Sequence, residues 1–199
     1  MFIAIEGIEG SGKSTLVRGL VERLRMDGRD VVATREPGGT ATGDAVRTIF
    51  LDRTLNIGAL TEALLANAAR AQHVAEVIRP AVDAGRMVLC DRFTASTLAY
   101  QGYGRGFDLA ALQRLCDEAT GDVQPDLVFL LDLPVEVAHQ RMAERSYQFD
   151  RIESEDAAFH ERVRRGYLEL AKSPRFRTLD ATQPGETLLD VAWSFISTL

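Results

Sequence analysis

Cysteine and lysine are both scarce in this sequence of 199 residues: Cys90 and Cys116 are the only cysteines, and Lys13 and Lys172 the only lysines. Two cysteines cannot build a disulfide framework, and neither has a Cys or His at metal-ligand spacing. A disulfide-stapled scaffold and a structural zinc site are therefore excluded, and a reduced, cytoplasmic setting is expected. No apolar run approaches the roughly 18 to 20 residues that span a bilayer. Met1 to Glu6 lead straight into a structured pattern, so neither a membrane helix nor an export signal is expected. Repeats, low-complexity tracts and Gly/Ser/Pro linkers are also missing, which points to one domain over residues 1–199. An excess of positive charge is lacking too. With 23 basic against 29 acidic residues the net charge is -6, which argues against broad nucleic-acid binding and leaves any polyanion to a local basic cluster. The remaining composition, 46% apolar and 26% charged, is that of an ordinary folded chain, not a disordered one.

Short apolar runs alternate with helical spacings. Phe2 to Ile5, Val31 to Thr34, Met87 to Cys90, Leu127 to Leu131 and Arg177 to Leu179 read as strands. Between them, apolar residues three and four apart predict helices: Leu16 to Leu24, closed by Asp27-Gly28; Val46 to Phe50; Leu60 to Val82, closed by Gly85; one from about Thr94; and one through Leu109, Leu112 and Leu115. Further helices fall near 135–144, 155–171 and from Glu186. Strands separated by helices make an α/β fold with a five-stranded parallel sheet, helices on both faces and right-handed crossovers. The least periodic stretch, Arg145 to Glu155, is polar and reads as a short lid.

The first strand runs into Gly7-Ile8-Glu9-Gly10-Ser11-Gly12-Lys13-Ser14-Thr15, which contains the pattern G-x-x-x-x-G-K-[ST] between a strand and a helix. Glycines let the backbone curl until successive N–H groups face a phosphate chain, and the helix start adds positive potential. In such a loop Lys13 bridges the transferring phosphate and the Ser14 hydroxyl takes Mg²⁺. Asp91, at the end of the third strand, reaches the same sheet edge and can orient the metal's waters or cap the next helix. For Asp132, at the end of the fourth strand, a helix cap is the favoured role.

A phosphate loop alone serves switches, motors and kinases alike. A guanine-reading Asn-Lys-x-Asp motif is absent, because the lysine outside the loop sits in Ala171-Lys172-Ser173. The segments Thr34-Arg35-Glu36-Pro37-Gly38-Gly39-Thr40, Arg70-Ala71-Gln72-His73, Asp91-Arg92-Phe93, Ala99-Tyr100-Gln101-Gly102-Tyr103-Gly104-Arg105-Gly106, Asp150-Arg151-Ile152-Glu153 and Asp180-Ala181-Thr182-Gln183-Pro184 follow in order. Together they resemble the bacterial type of the thymidylate kinase family, P-loop NTPases of the nucleoside-monophosphate kinase group, over essentially the whole chain.

That resemblance implies transfer of the γ-phosphate of ATP to dTMP, with Mg²⁺, in a cytoplasmic homodimer that uses neither nucleic acid nor membrane. It implies an ATP site made of Gly7 to Thr15 with Arg141 and Gln183, and a metal site at Ser14 and Asp91. Catalytic charge would come from Lys13, Arg92 and the lid arginines Arg141, Arg145 and Arg151. The dTMP site would hold Arg92, Arg35 and Arg47 on the acceptor phosphate, Glu9 at the deoxyribose 3′-hydroxyl, Tyr100 beneath the sugar, and Arg70, Thr97 and Gln101 at the thymine edge. His73 is read as a packing residue, since transfer to a phosphate acceptor needs little base catalysis. The family's stacking Phe is replaced by Ala66, with Phe93 or Tyr103 as other residues able to cover the ring. A kinase for another pyrimidine monophosphate and a nucleotide-binding regulatory module are the other readings. The Ala-rich segment with Ala63, Ala68, Ala69 and Ala71 is a candidate dimer face.

Overall fold

The computed structural model describes residues 1–144 and 149–197. Five strands, β1 (Phe2–Glu6), β2 (Val31–Arg35), β3 (Met87–Asp91), β4 (Leu127–Asp132) and β5 (Phe176–Asp180), form one parallel sheet in the order β2-β3-β1-β4-β5. β1 lies in the middle and every residue of it is buried, which is why Phe2 to Ile5 form an unbroken apolar run; Glu6 closes the strand as a buried acid. Alternation sends its side chains to two cores. Ile3, Ile5, Leu89 and Phe129 face one, while Phe2, Ala4, Val88, Cys90 and Val128 face the other.

The helices are α1 (Lys13–Met26), α2 (Ala41–Leu51), α3 (Ala59–His73), α4 (Arg79–Asp83), α5 (Thr94–Thr97), α6 (Leu109–Thr120), α7 (Val135–Ala143), α8 (Ala157–Leu170) and α9 (Gly185–Ile196). The predicted Leu60 to Val82 helix is one rod, with α3 and α4 joined by the wide turn Val74–Ile78. Pro80 lacks the N–H of a regular helix and its ring crowds the preceding turn, so the backbone widens there. A second wide turn, Leu98–Gly104, follows α5. On α1, Leu16, Leu20, Val21 and Leu24 point inward. Leu20 and Leu24 are completely enclosed, each contributing about 1.5–3 kcal/mol of apolar burial.

The parallel arrangement carries every strand's last residue to one edge, where Glu6, Arg35, Asp91, Asp132 and Asp180 sit. Asp132 is not the cap expected of it. It accepts a two-pronged bond from Arg164 at 2.7 and 3.0 Å, while Pro134 precedes α7 without a side-chain cap. A bidentate guanidinium holds a carboxylate better than one backbone N–H does.

Candidate active site

The phosphate loop leaves β1 at Gly7, whose φ of 142° and position admit only glycine: a Cβ there would lie 2.6 Å from the Leu131 carbonyl oxygen. Gly12, at φ 93°, turns the chain into α1. Lys13 is buried, and its Nζ donates back across the loop to the Ile8 carbonyl at 2.8 Å. Burial, reinforced by Arg92 nearby, lowers its pKa from 10.5 to about 8 despite the facing Asp91, Glu9 and Glu6 carboxylates. The adjacent Ser14 hydroxyl donates to Asp91 Oδ2 at 2.7 Å. A hydroxyl and a carboxylate oxygen in contact beside a phosphate loop are the hard oxygen donors that a partly hydrated Mg²⁺ takes. The alternative capping role for Asp91 fails, because the N–H groups of Phe93 and Ser96 at the start of α5 go to Glu6 instead.

Arg92 is the hub of the site, and it holds φ at 72°, a strained value for a residue with a side chain. Nη1 donates to the Gly7 carbonyl at 2.9 Å, Ser96 Oγ at 3.2 Å and Tyr167 OH at 3.0 Å; Nη2 donates to Glu9 Oε1 at 2.7 Å and Tyr100 OH at 3.1 Å. The guanidinium also lies over the Tyr100 ring, 5.0 Å from its centre. Tyr100 OH in turn donates to Glu9. Burial pushes the Glu9 carboxyl up, but Arg92 and Lys13 outweigh it, and the group stays below its usual range. Behind this layer Glu6 is fully buried, accepting from Phe93 N, Ser96 and Tyr167; burial raises its pKa in spite of those bonds.

At the far end, Arg70, Thr97 and Gln101 are each 2% exposed and line the same cavity as Lys13 and Arg92. Arg70 donates to Glu36 at 2.8 Å, Asn67 at 2.9 Å, Cys116 Sγ at 3.7 Å, the Phe93 carbonyl at 3.1 Å and Thr97 Oγ1 at 3.0 Å. All five guanidinium N–H groups are thus committed inside the protein. Arg47 reaches the cavity from α2 and donates to the Pro37 carbonyl; burial, with Arg35 and Arg92 close by, lowers its pKa. Arg35 is largely exposed at the cavity rim, 3.6 Å from Asp44. Ala66 lines the cavity together with Phe50 and Phe93, whereas Tyr103 does not and instead packs beside Gly166.

Beside the phosphate loop, Arg141 Nη1 lies 3.5 Å from the Gly10 carbonyl. Arg145 lies outside the described residues. Arg151 stands away from the phosphate loop: it ion-pairs with the buried Glu62 and donates to the Phe50 carbonyl. Gln183 bonds Asp180 at the sheet edge.

The buried group Glu36, His73 and Cys90 could hold a metal by proximity, but its chemistry does not suit one. Arg70 occupies Glu36, both His73 nitrogens face partners (Thr34 at 2.6 Å and Glu36 at 3.0 Å), and burial keeps the Cys90 thiol protonated. His73 is thus the packing residue expected of it.

Sequence reasoning passed over Glu6, Glu62, Ser96 and Tyr167. Glu6 carried a signal, as a lone acid ending an apolar run just before the loop. Glu62 carried another, lying on the α3 face of Ala66 and Arg70. Ser96 and Tyr167 carried none.

A phosphate loop at the edge of a parallel sheet, backed by a Ser/Asp pair of hard oxygens and an arginine-rich cavity, defines a P-loop NTPase fold. The sequence pattern of the thymidylate kinase family matches residues 5–190. The thymidylate kinase of Desulfovibrio desulfuricans is 52% identical over 95% of this chain and 91% of its own length. That of Deinococcus radiodurans is 48% identical over 99% and 96%, and that of Pseudomonas putida 50% over 94% and 92%. The chain belongs to the thymidylate kinase family.

Proposed function

We infer that this protein phosphorylates dTMP, taking the γ-phosphate of ATP and releasing dTDP and ADP. One cavity of about 350 Å³ carries the reading, because the phosphate loop, Arg92 and the Thr97/Gln101 edge all line it. A nucleoside monophosphate laid along it puts its phosphate at Arg92, Arg35 and Arg47, its sugar against Glu9 and Tyr100, and its base at Thr97 and Gln101; Arg70, expected at the same edge, holds Thr97 from behind and would reach the base only by giving up one of its five protein partners. The acceptor phosphate oxygen attacks the γ-phosphorus and the bond to the β-bridging oxygen breaks. The acceptor is already ionised, so no general base is required. Catalysis then rests on alignment and on preset charge from Lys13, Arg92 and Arg141, with Arg145 of the lid in the same proposed role. For Arg151 to join them it must exchange Glu62 for the transferring group as the lid closes. Gly7 to Thr15, Arg141 and Gln183 are the proposed ATP contacts. Ser14 and Asp91 would hold Mg²⁺, whose charge offsets that of the phosphates.

We read the chain as one domain, supported by its single continuous sheet. A homodimer in the cytoplasm completes the proposal. Leu60 and Leu64 on α3, 50% and 49% exposed, with Ala68 and Ala71 along the same stripe, support the dimer face. Ala63 and Ala69 drop out of it, being turned into the core by the helical period. No helix among the described residues is long and apolar enough to cross a membrane. The test is ADP formation from ATP with dTMP, dUMP, UMP, dCMP, AMP and GMP offered separately. Turnover that does not favour dTMP ends the assignment.

A further inference from the structure

Glu62 is 0% exposed and belongs to no phosphate-handling group, yet four donors converge on it. Oε1 accepts from Arg105 Nη2 at 3.0 Å and from Arg151 Nη1; Oε2 accepts from Arg105 Nε at 3.3 Å and from Gln101 Nε2 at 2.9 Å. A carboxylate between two guanidiniums can only accept. The Gln101 amide therefore has one allowed orientation, with its NH₂ toward Glu62 and Oε1 left over, and among the described residues nothing donates to that oxygen. Gln101 lines the cavity, so the oxygen is what a base there meets. The same logic applies one turn earlier. Thr97 Oγ1 accepts from Arg70, which can only donate, and among the described residues no acceptor takes the Thr97 hydroxyl proton, which is left for a ligand. The two side chains present a donor and an acceptor next to each other, matching O4 and N3–H of thymine or uracil. Cytosine offers the reverse, an N4 amino group and a bare N3.

We propose that Glu62 is a positioning residue that sets the hydrogen-bond polarity of the base-reading edge by holding the Gln101 amide, and so excludes cytosine nucleotides. This rests on the dTMP kinase reading. Arg151 shares the same carboxylate, so the residue that orients the base reader also anchors the C-terminal end of the lid.

The test is Glu62→Gln, which replaces an obligate acceptor with a group that can donate or accept and frees Gln101 to turn. Steady-state kinetics with dTMP, dUMP and dCMP should show the dTMP/dCMP ratio of kcat/KM falling at least about tenfold, through a higher KM for dTMP and a gain with dCMP. The dTMP/dUMP ratio should hold within about twofold, because both bases carry the same edge. A purely structural role would lower dTMP and dCMP use in proportion; an unchanged dTMP/dCMP ratio overturns the proposal. If Glu62→Gln does not fold, Gln101→Met decides. It removes the oriented amide while Glu62 keeps both arginines, and a retained ratio overturns the proposal equally. A wild-type protein that turns over none of the three nucleotides refutes the functional reading itself. A dTMP-selective wild type with an indifferent Glu62→Gln refutes only the role of Glu62.

Discussion

Replacing Arg92 by alanine and, separately, by glycine divides its chemical role from its backbone strain. Both changes remove the guanidinium that joins the Gly7 carbonyl, Glu9, Tyr100 and Tyr167. Arg92 and Glu9 side chains are only 17% and 12% exposed, and breaking such a pair costs about 3–5 kcal/mol. The low end applies, because Tyr100 keeps its bonds of 2.7 and 2.8 Å to the Glu9 carboxylate. The two variants differ in the backbone. At φ 72° an alanine Cβ keeps a left-handed strain of about 1–2 kcal/mol, which glycine relieves. Glycine's extra unfolded-state entropy takes back about 0.5–1 kcal/mol. Arg92→Gly should therefore be the more stable variant by up to about 1.5 kcal/mol, and each kcal/mol moves Tm by about 2–4 °C in a chain of this size. Both should lose dTMP binding alike and keep most ATP binding, since the lost charge faces the acceptor. Thermal unfolding of the purified variants and calorimetric titration with each nucleotide measure this. Arg92→Gly melting below Arg92→Ala refutes the strain; equal loss of ATP and dTMP affinity refutes the acceptor role.

Lys13→Met should abolish transfer and yet melt higher than wild type at pH 7. The folded pKa of about 8 lies below the ordinary 10.5, so the burial penalty is full below pH 8 and is relieved as pH rises toward 10.5. Melting curves across that window should show the gap closing. In the wild type the same proton is lost above pH 8, so kcat/KM for ATP, which reports the free enzyme, should fall there. Asp91→Asn should raise the Mg²⁺ concentration needed for half-maximal rate, read by metal titration of EDTA-treated protein; an unchanged requirement would remove Asp91 from the metal site. Ala66→Phe should tighten dTMP and leave ATP unchanged, with base stacking of about 1–3 kcal/mol as the scale. Equal or weaker dTMP affinity by calorimetry would mean that Phe50 and Phe93 already cover the base.

Local sequence was enough for whatever depends on contiguous residues. The buried run Phe2 to Ile5 followed by Gly7 to Ser14 dictates strand, phosphate loop and helix, because glycine conformations and 3.6-residue spacing are local properties. Ser14 with Asp91, and Thr97 with Gln101, were likewise legible, the first from strand ends sharing one sheet edge and the second from one helical turn. Residues whose meaning comes from distant partners were not. Asp132 reads as a cap until Arg164 arrives from α8. Arg151 reads as a lid charge until the fold sets it against Glu62 from α3. Glu6 and Glu62, buried carboxylates that orient Ser96 and Gln101, look like ordinary acids in the sequence. A carboxylate's role is set by the donors around it, and those come from residues far away in the chain, so only the tertiary structure assigns it.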